Sequence, residues 1–397
     1  MSLNETRINL FRKRLSKTDV GEWGTSNSEA TRYFPEEDTK DYEDIRPPFF
    51  RDTDRIVHSK AYARYIDKSQ VFYGINNANL THRALHVLLV SRVARQIGRI
   101  FHLNTDLIEA IALGHDIGHS FASHLGEDIL DEFSREHGLG RFRHNAQGVR
   151  WLTYLEKRFP EQPAKGLNLT LQVVDGILCH NGEMEKRTLE PFNRNKTWKD
   201  HFKEYEQSFT KEHIDLIPMT YEAIVVRFAD VISYIGRDIE DAILLKYIKR
   251  DQLPKGPQKI LGNTNRKIMN TLIMDLLNYS LDNHIIGYSE EVFNALKELK
   301  RFNYEQIYYK RDLNLRDIVT EQFNLIFERS LHAVQVQDFS SPVFKDHIEY
   351  IDDHNYTSYY EPLKKEGKLT LIVRDYICGM SDKYFNDTYL FLKKITN

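Results

Sequence analysis

Residues 85–101 read LHVLLVSRVARQIGRIF, and residues 106–114 read DLIEAIALG. In the first stretch apolar residues recur at three- and four-residue spacing, with Arg92, Arg95 and Arg99 between them, the pattern of an amphipathic helix. The second is nearly all apolar and predicts a buried helix, with Thr105 or Asn104 as its N-cap. Outward from these, the helical spacing returns over residues 220–249. The 11 prolines sit mostly in apparent connections. Alternating patterns are scarce; Val334-Gln335-Val336 and residues 369–373 are the best strand candidates. The expectation is an all-α protein. Residues 1–50, rich in charges and aromatics, read as an irregular segment, and 51–266 as a helical domain. Within it 183–213 is a polar excursion and 250–266 a second polar connection. Residues 267–397 read as a C-terminal helical region packed on that core.

Composition narrows the function. With 397 residues, 41% of them hydrophobic, the chain can bury a large core. A net charge of -3 provides no global field for nucleic acid or an anionic membrane, so an anionic ligand needs locally placed groups. Two distant cysteines, Cys179 and Cys378, make no disulfide framework, which fits a reducing cytoplasm. The N-terminal MSLNETRINLFRKRLSK lacks the apolar stretch of a signal peptide, and no run approaches the roughly 18 apolar residues of a membrane span.

Five of the 16 histidines fall within residues 115–144, and the centre of that stretch is GHDIGHSFASHLGE, residues 114–127. His115 and Asp116 adjoin at the end of an apolar helix, where both can face one ion. Imidazole with carboxylate suits a borderline-to-hard divalent metal. A lone histidine on an apolar helix is usually a satisfied core residue. Glycines at 114, 118 and 126 argue otherwise here, since each costs a helix about 1 kcal/mol. Upstream, His82 in LTHRALH is a candidate ligand, and His86 one turn later competes for the role. Downstream, Asp230 in RFADVISYIGRDIEDA is costly in an apolar helix unless paired or metal-bound. Tyr234 and Asp238 follow at i+4 intervals, so the three share one helix face.

Together these residues resemble the metal set of the HD superfamily, with His82, His115-Asp116 and Asp230 in the H…HD…D positions. Longer blocks narrow the resemblance. RDTDRIVHSKAYARYIDKSQVF (51–72), 114–127, FRHNAQ (142–147), GLNLTLQVVDGILCHNG (166–182) and DYICGMSDKY (375–384) are similar to the deoxyguanosine triphosphate triphosphohydrolase family, in family order over most of the chain.

The resemblance implies an HD-type helical core and hydrolysis of deoxynucleoside triphosphates to deoxynucleoside and inorganic triphosphate. It implies a divalent metal, Mg²⁺ or Mn²⁺ or another transition metal, on His82, His115, Asp116 and Asp230. His124 and Glu127 match catalytic residues near the α-phosphate, and His119 a histidine facing the phosphates. Tyr234 and Asp238 match residues at the sugar, Gln70 one near sugar and base, with Val71 beside it. As partners it implies the nucleotide substrate and a homo-oligomer, commonly a hexamer. It leaves room for an activating deoxynucleotide and for single-stranded nucleic acid. The family's usual Arg, three residues before the first metal-binding His, is here Asn79, with Arg83, Arg64 or Lys68 as candidate substitutes. Ser120 and Ala122-Ser123 stand where relatives often have prolines, and Val231 where they often have a polar residue. The alternatives are another HD-type nucleotide phosphohydrolase, a 5′-nucleotidase or phosphodiesterase, or a non-enzymatic nucleotide-sensing or nucleic-acid-binding protein.

Overall fold

Asn104 settles where the decisive buried helix begins: its side chain accepts from the backbone N–H groups of Asp106 and Leu107. A computed structural model describes residues 5–15, 20–35, 44–75, 77–159, 161–181, 186–308 and 313–396. The regular structure of the described residues is helical apart from a short antiparallel ribbon, β1 (Thr188–Leu189) with β2 (Ile286–Gly287), and two isolated bridges, Arg32 with Thr170 and Ser69 with His82. The helices that frame the core are α1 (Pro48–Val57), α2 (Arg83–Ile100), α3 (Thr105–Gly114), α4 (Ser123–Glu136), α5 (His144–Arg150) and α6 (Leu171–Leu178). They are followed by α7 (Trp198–Thr210), α8 (Tyr221–Leu244), α9 (Asn265–Asn283), α10 (Glu290–Asn303), α11 (Leu313–Val336), α12 (Leu369–Cys378) and α13 (Asp382–Thr396). None is long and apolar enough to cross a membrane.

At the centre α3 packs against α1, α2, α6 and α8. Its residues Leu107, Ile108, Ala110, Ile111 and Ala112 are wholly buried, as the apolar run requires. Helix α8 is buried on nearly every side, so Asp230 and Asp238 lie inside the protein. The last helices α12 and α13 pack against α11, and α11 and α12 both touch α4.

Several expectations change. The strand candidates 334–336 and 369–373 are helical, ending α11 and opening α12. Their β-branched residues Val334 and Val373 are buried, so packing outweighs local propensity. The stretch 183–213 contains β1 and α7, whose capping box is formed by Thr197 and Asp200; residues 183–185 lie outside the described part. The connection 250–266 holds a short helix, Lys255–Ile260, and the first fifty residues hold a helix, Glu5–Leu15.

Candidate active site and metal centre

The α3 helix ends at Gly114, and the chain turns through 115–122 before α4 begins. The glycine at 118 is required by contact: a Cβ there would lie 1.9 Å from the His144 carbonyl oxygen. That close approach seats α5, and with it His144, against the HD turn. The turn leaves through two left-handed residues, Ala122 at φ 53° and Ser123 at φ 55°. Asp382 accepts from the Ala122 N–H at 2.9 Å, and Ser123 Oγ donates to the Gln70 carbonyl at 2.6 Å. Asp382 also accepts from the N–H and Oγ of Ser69, at 2.8 and 2.6 Å. One carboxylate from the C-terminal region thus pins both loops of the site.

A cavity of about 250 Å³ opens over this turn. His115, His86, Asp116 and Asp230 gather at its floor. His86 Nε2 lies 3.0 Å from Asp230 Oδ1 and 3.6 Å from Asp116 Oδ2, and His115 Nε2 lies 3.3 Å from Asp116 Oδ1. His115 Nδ1 is 2.8 Å from the Ala112 carbonyl, which can only accept. The ring proton therefore sits on Nδ1, and Nε2 turns a lone pair inward. His115 Nε2 is buried without a hydrogen-bond partner, and Asp230 Oδ1, though 3.0 Å from His86 Nε2, is not aligned for a hydrogen bond. Close, unaligned donor atoms around one centre fit a divalent cation, which would satisfy both.

His82 does not join this group. It is exposed as the N-cap residue of α2, its carbonyl accepting from the His86 N–H. The place beside Asp116 and Asp230 expected of His82 is held by His86, one turn into the helix and buried. The shift also repairs the apparent departure at Asn79. The residue three before His86 is Arg83, buried on the cavity wall with Nη1 2.5 Å from Asp116 Oδ2. The other candidate substitutes are engaged elsewhere: Arg64 lies over the Trp151 ring, and Lys68 donates to the His119 carbonyl at 2.5 Å.

Above the floor stand His119, His124, Glu127 and His144. Glu127 Oε1 accepts from the N–H of His144 and lies 2.9 Å from its Nδ1. Burial alone would raise the Glu127 pKa, but His144, with His119 and His124 nearby, outweighs it and holds the carboxylate well below its usual range. The same pair lifts the His144 pKa against the effect of burial. His119 stacks on His144 at 3.8 Å between centroids, and burial, then Arg83, then the His144 charge push its pKa far down. His124 is exposed at the mouth, its ring 6.0 Å from His119 and 6.3 Å from Tyr308. The far wall carries Gln70, Val71, Tyr234 and Asp238. Asp238 Oδ2 accepts from Tyr308 O–H at 2.6 Å, yet burial carries its pKa up to about 7. Gln70 Oε1 is buried with no partner.

Except for His82, the expected site residues lie on this cavity or its floor. Arg83 was expected only as one substitute for the Arg absent at 79, and His144, His180, Asn181, Tyr304 and Tyr308 were not anticipated. His144 and His180, whose Nε2 atoms face each other at 3.1 Å, lay in the blocks 142–147 and 166–182. Their presence there was the available signal. Tyr304 and Tyr308 follow α10 in a polar run with no local signal at all.

A second buried acidic group, Asp175, Cys179 and Glu204, is geometrically able to hold an ion. Lys196 already fills it: Nζ lies 2.7 Å from Asp175 Oδ1, 2.8 Å from Glu204 Oε2 and 3.8 Å from Cys179 Sγ.

The family model for the HD domain matches residues 83–235, beginning just after His82. A deoxyguanosinetriphosphate triphosphohydrolase-like protein of Clostridium tetani is 33% identical over 369 residues, 89% of this chain and 90% of that protein. Proteins with the same description from Clostridium perfringens, 33% identical over 88% of both chains, and Rickettsia felis, 31% identical over 87% of this chain and 91% of that one, match similarly. With an HD domain at its centre and likeness to these relatives over nearly its whole length, the chain belongs to the deoxyguanosinetriphosphate triphosphohydrolase-like family.

Proposed function

We propose that this chain hydrolyses deoxynucleoside triphosphates to deoxynucleoside and inorganic triphosphate, using one divalent metal. The observation that carries the reading is the row on α8. Asp230 reaches the histidine–aspartate floor, and Tyr234 and Asp238 continue from it along the cavity wall. A ligand with a phosphate at the floor extends naturally towards a ring and a carboxylate suited to a sugar. The relatives' names favour a deoxynucleoside triphosphate over other phosphate esters.

His86, His115, Asp116 and Asp230 would hold the ion, Mg²⁺ or Mn²⁺. When bound it would supply positive charge at the α-phosphate. Arg83 adds a fixed guanidinium on the same wall. Water attacks the α-phosphorus and the 5′-oxygen departs. His124, at the mouth, is placed to hand a proton to that oxygen, while Glu127 fixes His144 beside the phosphate path. Tyr234 packs under the sugar and crowds a 2′-hydroxyl, Asp238 accepts from the 3′-hydroxyl, and Gln70 lines the same wall.

A product assay with the four deoxynucleoside triphosphates, singly and mixed, tests the reading. Inorganic triphosphate is the expected product. Release of monophosphate or pyrophosphate would instead favour another HD-type nucleotidase.

A further inference from the structure

A second cavity lies away from the metal floor, at the other end of the helix that begins with His144. Its volume is about 410 Å³, within the range of small-ligand sites. Six aromatic side chains line it: Tyr33, Phe34, Tyr154, Trp198, Phe202 and Tyr359. Tyr33 meets Phe34, Trp198 and Phe202 edge-on, at 4.9, 5.5 and 5.3 Å between centroids. Edge-on packing leaves ring faces for another partner. Tyr33 and Phe34 are indeed 53% and 52% exposed, unusual for large rings beside an apolar hollow.

The polar lining has one sign. Arg150 and Lys165 are its charged residues, and no aspartate or glutamate joins them, although the chain is acidic overall. Arg150 is spent internally: Nε and Nη2 lie 2.8 and 2.6 Å from Asp375 Oδ2, and Tyr359 O–H donates to the same oxygen at 3.1 Å. Gln147, on the same helix, completes the clamp at 3.0 Å. The floor is therefore fixed before any ligand arrives. Lys165, exposed at the rim, makes no ion pair among the described residues.

We infer that this aromatic cavity is a second ligand site, for a small planar ring system bearing an acidic group. Open ring faces take the planar body, and Lys165 takes the anion. Nucleotides and aromatic carboxylates share this chemistry.

The test uses the full chain and 1-anilinonaphthalene-8-sulfonate, a planar aromatic anion, read by its fluorescence and by isothermal titration. One saturable site per chain is expected. Tyr33→Ala should weaken it about tenfold, as for loss of a stacking ring. Lys165→Ala should weaken it roughly two- to fivefold, as for an exposed ion pair. Both residues are on the surface, so both variants should fold, and unchanged circular dichroism checks this. The uncharged analogue N-phenyl-1-naphthylamine should bind the unmodified chain and the Lys165→Ala chain equally. Displacement by deoxyadenosine monophosphate would identify a nucleotide, and displacement by indole-3-carboxylate an aromatic acid. Non-saturating fluorescence, binding indifferent to both substitutions, or displacement by neither compound would overturn the inference. Every readout is binding at a cavity remote from the metal floor, so the result is independent of whether nucleotide hydrolysis occurs.

Discussion

At the scale of single residues, the two histidines of LTHRALH decide the metal centre. They lie four apart, so either could face the floor from one side of a helix. What separates them is where α2 starts: His82 caps it and stays in solvent, while His86 is inside. That boundary was not legible in the sequence, because cap and first turn differ by only a few residues. The rest of the set was, since an aspartate in an apolar helix and an HD pair at a helix end carry their cost openly. His86→Ala should lose the metal, read as ions per chain by elemental analysis after gel filtration, whereas His82→Ala should keep a full complement. The reverse result would restore His82. His124→Ala should keep the metal and lower kcat by roughly 10²–10⁴-fold, the usual reach of proton transfer. Unchanged turnover would move His124 out of that role. Tyr234→Ala should narrow the preference for dGTP over GTP, measured as the ratio of kcat/KM values. A ratio near one in the unmodified chain would refute the sugar assignment.

At the scale of elements, long periodic helices were plain and short ones were not. Helices α2, α3 and α8 announce themselves by spacing. Helix α7 hides in a polar run because its apolar face is narrow: only His201 and Ser208 are fully buried on it. The end of α11 and start of α12 looked like strands because valines serve either period. The contact between the HD turn and α5 was not legible: the glycine at 118 was read as a sign of function, and what it meets is the α5 backbone. Gly118→Ala should therefore destabilise by about 3 kcal/mol or more, since the new methyl would meet backbone that cannot swing aside. Chemical denaturation would show it, and a change under 1 kcal/mol would mean that α5 can retreat.

At the scale of the whole molecule, the C-terminal region completes the site. Asp382 holds both site loops, and Asp375 clamps α5 through Gln147 and Arg150. The DYICGMSDKY block could be recognised in the sequence, but its partners on α5 lie more than two hundred residues away, a distance no local pattern encodes. Burial would raise the Asp375 pKa, but Arg150, with its hydrogen bonds, outweighs this and lowers it from 3.8. The folded pKa lies below the unfolded one, so the clamp's contribution is present above about pH 4 and is lost as pH falls through the folded value. The thermal midpoint of the unmodified chain should drop on acidification below that point. Asp375→Asn should sit lower at neutral pH and lose less in the acid range. Parallel pH profiles for the two proteins would remove Asp375 from this account.

The lysine among Asp175, Cys179 and Glu204 bears on how the protein competes for ions in a crowded cell. A thiol with two carboxylates is the sort of pocket that zinc or copper seizes. Lys196 occupies it with a tethered charge that no chelator can strip and no scarcity can empty. Among the described residues that leaves the imidazole and carboxylate cluster as the group open to an ion, and stripping metal would act there while this corner of the scaffold stayed intact.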